Sequence, residues 1–355
     1  MSAPPRLTLD LDAVAAATAT LAGRLLEAGF TLVGVTKAVD GEPAVGQAML
    51  EAGCAGLADS RLPALTRLAA HALAPLTLIR PPQRDELELV AQVADRVVLS
   101  DPDAARALGE HAPGAALEVL LAVDLGDRRE GVLPEDAAVV AHRLAALPGI
   151  ALAGIAANFA CLSGQLPSQT LFGRAEEVLA AVADDCSAEP TLSLGGTCCL
   201  QHLDGYAPRF ATEIRSGGGP LYGYDFVSGA ALEGLERRDP VLTAAVLECS
   251  RKPPAPPCET GCDAFGHVPD ARLPGDDAWY ALVALGRRDC EPAGLRPLVE
   301  GAYVAGMTSD VGIVVVPEPV APGAELAFAV DYDALVRAVT SPFVTLECVR
   351  SKGAS

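Results

Sequence analysis

Leu32-Val33-Gly34-Val35-Thr36-Lys37-Ala38-Val39 decides how the chain is read. Its apolar and small residues predict a buried strand, and one lysine stands where that strand runs out. Lysine is among the side chains least often buried, so its place at a strand's carboxyl end asks for a reason. A lysine there can snorkel off the strand tip to solvent. It can equally be a Schiff-base lysine at the mouth of a barrel, where burial favours the neutral, nucleophilic amine. What the later strand ends supply chooses between the two.

Working outward, the same rhythm repeats. After the Lys37 strand come Gly56-Leu57-Ala58 ending at Asp59, Leu76 to Arg80, Arg96 to Ser100, and Leu117 to Val123 running into Asp124-Leu125-Gly126-Asp127. Ala151 to Ala157 ends at Asn158, Thr191 to Leu194 at Gly195-Gly196-Thr197, and Thr212 to Arg215 at Ser216-Gly217-Gly218-Gly219. Most are separated by a helix-length segment, such as that from Pro43 to Ala52, with Ser100 or Asp101 capping another. Near-continuous apolar strands alternating with helices predict a parallel sheet, and eight such units predict a TIM (β/α)8 barrel over residues 1–225. Ahead of them, Arg6 to Leu11 reads as extended, with Asp12 expected to cap an alanine-rich helix.

From residue 226 the pattern changes to strands divided by Pro- and Gly-rich turns. Val241 to Cys249, Trp279 to Leu285, Val299 to Ala305, Gly312 to Val316, Glu325 to Val330 and Val344 to Val349 predict a second, all-β domain over 226–355.

Composition narrows the function. The 355 residues carry a net charge of −20, which argues against nucleic acid or an anionic membrane as partner. No uninterrupted apolar run reaches the roughly 18 residues of a membrane span, and Met1-Ser2-Ala3-Pro4-Pro5-Arg6 lacks the pattern of a signal peptide. A cytoplasmic location is expected. The ten scattered cysteines then read as thiols rather than a disulfide framework. Cys258-x3-Cys262, with Cys249 and His267 nearby, is too loosely spaced to predict a zinc site, and no metal is expected.

Two glycine-rich loops follow successive strands, Gly195-Gly196-Thr197 and Ser216-Gly217-Gly218-Gly219-Pro220. Glycines let the backbone approach an anion, and loops after strands seven and eight are where TIM barrels place phosphate sites. Joined to a lysine after strand one, they favour the Schiff-base reading. Val35-Thr36-Lys37-Ala38, Asp124-Leu125-Gly126-Asp127-Arg128-Arg129-Glu130-Gly131 and Arg215-Ser216-Gly217 through Leu221-Tyr222-Gly223 resemble the alanine racemase family. Ala157-Asn158-Phe159-Ala160-Cys161, the segment from Glu259 to Gly266, and Ser309-Asp310 resemble its ornithine racemase branch, in order over nearly the whole chain.

The resemblance implies a pyridoxal 5′-phosphate enzyme that inverts the α-carbon of a free amino acid, with ornithine or another basic amino acid first. Lys37 would hold the cofactor as a Schiff base and move the proton on one face. Thr197, Gly217 and Gly218 would bind the phosphate, with Tyr222 also in the cofactor site. Arg129 would meet the phenolate oxygen, Asn158 would lie beside the ring and Arg215 would face the pyridine nitrogen. An arginine does not readily give up its proton, so that nitrogen stays unprotonated and the ring is a modest electron sink, which favours proton exchange over transamination. A homodimer with shared active sites is implied, Asp310 entering the partner's site.

The chain departs from the family at three places. The tyrosine motif Gly-Tyr-Ala-Asp, which serves the second face, falls on Gly286-Arg287-Arg288-Asp289. Ala122 holds the place of a second cofactor-stabilising lysine, and Gly41 that of a tyrosine four residues after Lys37. Candidates for the second base are Cys290, Asp289, Asp310 and Tyr303. Asp263 and Glu259 could meet a distal ammonium. Other reactions at the α-carbon, namely epimerisation, decarboxylation or aldol cleavage, stay open. So do a non-catalytic carrier of the cofactor and a barrel whose lysine is structural.

Overall fold

The computed structural model describes residues 4–112, 114–256, 258–263, 265–266, 268 and 271–350. The chain forms two compact units, Leu11–Arg238 and a second made of Met1–Asp10 with Asp239–Ser355.

The first strand, β1 (Arg6–Asp10), belongs to the second unit. The larger unit is a closed parallel barrel of β2 (Phe30–Val35), β3 (Gly56–Asp59), β4 (Leu76–Leu78), β5 (Arg96–Leu99), β6 (Leu117–Val123), β7 (Ile150–Asn158), β8 (Thr191–Gly195) and β9 (Ala211–Ser216). These are the eight strands read from the sequence. Burial on both faces explains their unbroken apolar character, since side chains alternate between the barrel interior and the helices outside. Val33, Val35 and Ala58 form one interior cluster and Val98, Leu120, Ala122 and Ala156 another, with Ile79 packed against both.

Local chemistry starts the crossover helices. Asp101 accepts from the Asp103 N–H (2.9 Å) ahead of the helix Pro102–His111, and Ser168 Oγ from the Leu171 N–H (3.2 Å) ahead of Gln169–Val182. Asp12 differs from expectation. The helix Leu11–Glu27 follows β1 directly, so Asp12 lies in its first turn rather than at its cap.

The expected boundary at 225/226 lies inside the barrel unit, which runs on to Arg238. The segment after β9 folds back on its own helix Gly218–Tyr222, with the Arg238 N–H on Tyr222 O (2.9 Å) and the Leu232 N–H on Gly223 O (2.9 Å). Those bonds tie it to the barrel.

The second unit is built on β10 (Val241–Lys252), β11 (Ala278–Val283), β12 (Leu295–Pro297), β13 (Tyr303–Met307), β14 (Gly312–Val316), β15 (Glu325–Val330) and β16 (Thr345–Val349). The sheet order is β12-β15-β10-β11-β14-β13, and β1 adds antiparallel to β10 and parallel to β16. It is not all-β. The helix Tyr332–Thr340 stands between β15 and β16, capped by Asp331, whose carboxylate accepts from the Ala334 N–H (3.0 Å). The strand expected from Val299 begins at Tyr303, after a turn, and β12 was not expected.

One glycine is fixed by the barrel's own geometry. The β6–β7 register skips Ala153, pairing Val119 with Leu152 and then Leu120 with Gly154. Gly154 has φ +143°, and a Cβ there would lie 2.0 Å from Thr191 O on β8. Gly154→Ala should therefore cost about 1–3 kcal/mol through overpacking, with backbone strain added. A urea unfolding midpoint equal to wild type would contradict this account of the bulge.

Candidate active site

Several strands of the barrel end at side chains that gather at its mouth. β2 stops at Val35. Thr36 is fully buried, its N–H on Ala58 O (3.0 Å) and its hydroxyl donating to Asp59 Oδ2 (2.7 Å) at the end of β3. Burial raises the Asp59 carboxyl above its ordinary value, and the donors on it offset this only in part. The chain then makes a short 3-10 turn, Lys37–Val39, in which Ala38 and Val39 point into the core and Lys37 is half-buried. The turn ends at Asp40 and Gly41, both in the left-handed region (φ +50° and +65°). A Cβ on Gly41 would lie 2.7 Å from that of Ala64, which leaves no room there for the family's tyrosine.

Lys37, Arg129, Asn158 and Arg215 line a single cavity of about 260 Å³, together with Ser60, Ile79, Arg80, Val98 and Glu130. Arg80 is held by Ser60 O (2.6 Å) and by a fork onto Glu86 (2.8 and 2.7 Å). Arg129 forms a two-pronged pair with Glu130. Asn158 donates to Asp127 Oδ2 (3.1 Å), while Asp127 Oδ1 accepts from the N–H groups of Leu162 (3.0 Å) and Ser163 (3.2 Å). Burial alone would raise the Asp127 carboxyl. These donors outweigh it and hold the carboxyl below its ordinary value. Ala122 borders a much smaller void of about 10 Å³ beside Arg129, Asn158 and Arg215, room for one water at most.

Arg215 is only 5% exposed. Its guanidinium donates to Ser193 Oγ and to Ala157 O (3.2 Å). A side chain on Gly195 would come within 2.5 Å of Arg215 Nη2 and 2.8 Å of Asn158 Oδ1, so glycine is what lets these two groups reach the mouth.

Thr197, Gly217, Gly218 and Tyr222 follow the ends of β8 and β9, the last two within the helix Gly218–Tyr222, and do not line this cavity. Thr197 Oγ1 and Ser216 Oγ are 2.9 Å apart, and the Gly218 N–H donates to Thr197 Oγ1 (3.1 Å). A Cβ on Gly217 would meet Val35 O at 2.6 Å, and one on Gly218 would meet the Phe226 ring at 2.7 Å. Tyr222 is fully buried, edge-on to Tyr224 and Phe226. These features fit pyridoxal phosphate: an amine at one strand end, a side-chain-free backbone beside it, and guanidinium groups for its anionic and ring atoms.

The candidates in the second unit stand differently. Cys290 is fully buried, and burial pushes its thiol up to about 12. Asp289 accepts from the Gly286 N–H (3.0 Å) and the Ser341 hydroxyl (2.9 Å), so it closes a tight turn. Asp310 is exposed and pairs with Arg288 (3.4 Å), and Tyr303 is half-buried. Glu259, Cys258 and Cys262 are exposed and Asp263 half-buried, while His267 lies outside the described residues. No metal-sized cluster of His, Cys, Asp or Glu occurs among the described residues. No described helix is long and apolar enough to cross a membrane.

Sequence reasoning passed over Ser60, Arg80, Ser193 and Glu213. Arg80 had a usable signal, since it follows an apolar strand just as Lys37 does.

Asp127 yields a pH-dependent prediction. Because its folded carboxyl titrates below its unfolded one, its stabilisation is complete above the unfolded value of about 3.9 and is lost as pH falls through the folded value. Asp127→Ala should cost about 1–3 kcal/mol at neutral pH by stranding buried donors. That difference from wild type, measured by urea unfolding, should narrow below about pH 4.

The family described as alanine racemase, N-terminal domain, matches residues 9–225. The lysine racemase of Thermotoga maritima is 28% identical over 351 residues, covering 96% of this chain and 97% of that one. The ornithine racemase of Acetoanaerobium sticklandii is 29% identical over 302 residues, covering 82% and 84%. Among solved structures, the alanine racemase of E. faecalis superposes with a TM-score of 0.74 at 17% identity, covering 98% of both chains. The D-threonine aldolase of Filomicrobium marinum gives 0.74 at 19%, covering 99% of this chain and 94% of that one. The fold is thus shared by enzymes of more than one reaction. With a family match across the barrel and full-length racemase relatives, this chain belongs to the alanine racemase family of pyridoxal 5′-phosphate enzymes.

Proposed function

We propose that the protein racemises a free amino acid bearing a second, distal amino group, of the ornithine or lysine class, with Lys37 as the proton carrier on one face of the α-carbon. The observation that carries this reading is the convergence of Lys37, Arg129, Asn158 and Arg215 on one cavity. The choice of substrate class draws support from the names of the two relatives.

Pyridoxal phosphate, when bound, supplies an aldehyde for amines and a conjugated ring that takes up the electron pair left by α-proton removal. The protein's own residues do the rest. Lys37 rides on a turn anchored by the buried Thr36–Asp59 bond, which fixes where its amine can take and return a proton. Arg129, oriented by Glu130, presents its guanidinium to anionic oxygens. Arg215 offers a hydrogen bond to a ring nitrogen without yielding a proton, which restrains side reactions. Thr197, Gly217 and Gly218 would hold the phosphate, which would take over the hydroxyl and N–H that Thr197 and Gly218 now share.

On the opposite face we assign the second base to Asp310 or Tyr303, lent by a second copy of the chain in a homodimer. Cys290, with its thiol at about 12, stays protonated at neutral pH. A different α-carbon reaction is favoured by one observation, the family's tyrosine motif being replaced by Gly286-Arg287-Arg288-Asp289.

The test incubates L-lysine, L-ornithine and L-alanine separately with the cofactor-loaded protein in deuterated water. Racemisation gives both enantiomers by chiral chromatography, α-deuterium by mass spectrometry and no carbon dioxide. Cleavage or carbon dioxide release without inversion would replace this reading by the other. Lys37→Ala should abolish the visible Schiff-base absorbance and lower turnover by at least about 10²-fold. Wild-type turnover in that variant would end the proposal.

A further inference from the structure

A charged ladder crosses the inside of the barrel, where folds of this type normally stack apolar layers. Glu213 and Arg215 are two residues apart on β9 and so share its inward face. Both are buried, at 7% and 5% exposure, with Ser193 of β8 fully buried opposite Glu213 in the strand register. The Ser193 hydroxyl donates to Glu213 Oε1 (2.5 Å) and accepts from Arg215 Nη1. From the far side, Arg96 Nη1 donates to Glu213 Oε2 (3.0 Å). β5 and β9 are four strands apart in either direction around the ring, so this contact spans the interior. Arg96 is in turn held by Glu118 (3.0 Å) on β6.

Burying ionised groups in this way is costly unless each is satisfied by partners. Removing Arg215 from water pulls its guanidinium below its ordinary value, and the Glu213 charge opposes that. The carboxylate meets Arg215 through a hydroxyl, however, and no direct ion pair joins the two among the described contacts. A hydroxyl relay fixes the direction of a guanidinium more tightly than a bare charge does, since it adds a directional hydrogen bond to the attraction.

We propose that Glu213, acting through Ser193 and braced by Arg96, is the positioning residue that aims Arg215 at the cofactor's ring nitrogen. This rests on the cofactor site described under the proposed function. It adds the part of the barrel below the mouth to that site and makes Ser193 the joint between them.

The test compares the wild-type holoenzyme with Ser193→Ala, Ser193→Thr and Glu213→Gln. It reads the visible spectrum of bound pyridoxal phosphate across pH, the 15N shift of ring-labelled cofactor, thermal unfolding, and kcat and KM for the racemised amino acid. Ser193→Ala breaks the relay with little change of volume. It should move the ring-nitrogen shift and the spectral pH titration and lower kcat on the order of tenfold, with KM within about twofold. Ser193→Thr, which keeps the hydroxyl, should restore all of these. Glu213→Gln should repeat the spectral change, and if it fails to fold, the serine pair decides alone. A Ser193→Ala protein with altered thermal unfolding but wild-type spectrum, ring-nitrogen shift and kcat would overturn the proposal, leaving the ladder a structural feature. A wild-type protein that takes up no cofactor would instead overturn the reading beneath it, and this inference with it.

Discussion

Closure of the barrel between β2 and β9 is the constraint from which the site follows. Those strands are far apart in sequence, yet their register pairs Val33 with Arg215 and Gly34 with Ser216. That pairing sets the Lys37 turn beside the second glycine loop, where Gly217 approaches Val35 so closely that a Cβ would stand 2.6 Å from its carbonyl oxygen. A slip of β9 by one residue would turn its side chains to the opposite face and take Arg215 out of the interior. The amine, the glycine backbone and the guanidinium are therefore positioned by one set of main-chain hydrogen bonds.

Electrostatics at the mouth run against those of the whole molecule. The chain carries −20, but the cavity is ringed by Lys37, Arg80, Arg129 and Arg215, with Glu130 the one carboxylate among the described residues lining it. Cations outnumber carboxylates in this concave lining, so it offers an anion more partners than the acidic surface as a whole does. The three arginines are also held rather than loose: Arg80 by Glu86, Arg129 by Glu130, Arg215 by Ser193 and Ala157 O. Fixed charges of this kind need not reorganise when a ligand arrives, which is the condition under which electrostatic stabilisation is largest.

Much of this was legible in the sequence, and the limits have physical causes. The eight barrel strands were readable because burial on both faces makes a parallel strand an unbroken apolar run. Lys37 and the glycine loops were readable because a cation and adjacent glycines interrupt such runs conspicuously. The membership of β1 in the second unit was not, since its pairing with β10 and β16 joins residues more than 200 positions apart and leaves no local trace. The helix Tyr332–Thr340 could have been found, because Asp331 is an ordinary capping residue ahead of Leu335 and Ala338. Ser193 and Glu213 carry no motif. A serine and a glutamate inside apolar strands read as interruptions until closure shows that they share one buried interior with Arg215.

The cationic ring also bears on how a diamino acid could sit here under the proposed reading. Lys37, Arg129 and the glycine loops suit the anionic groups of the cofactor and of an amino acid's carboxylate. A distal ammonium brought against the same wall would face Arg80 and Arg215 at short range, where like charges cost most in a partly dry site. Glu130 offers little relief, because its carboxylate is already engaged by both prongs of Arg129. Under that reading a distal ammonium needs a carboxylate other than Glu130 to meet it. A chain with so large an acidic excess has carboxylates to spare for that role.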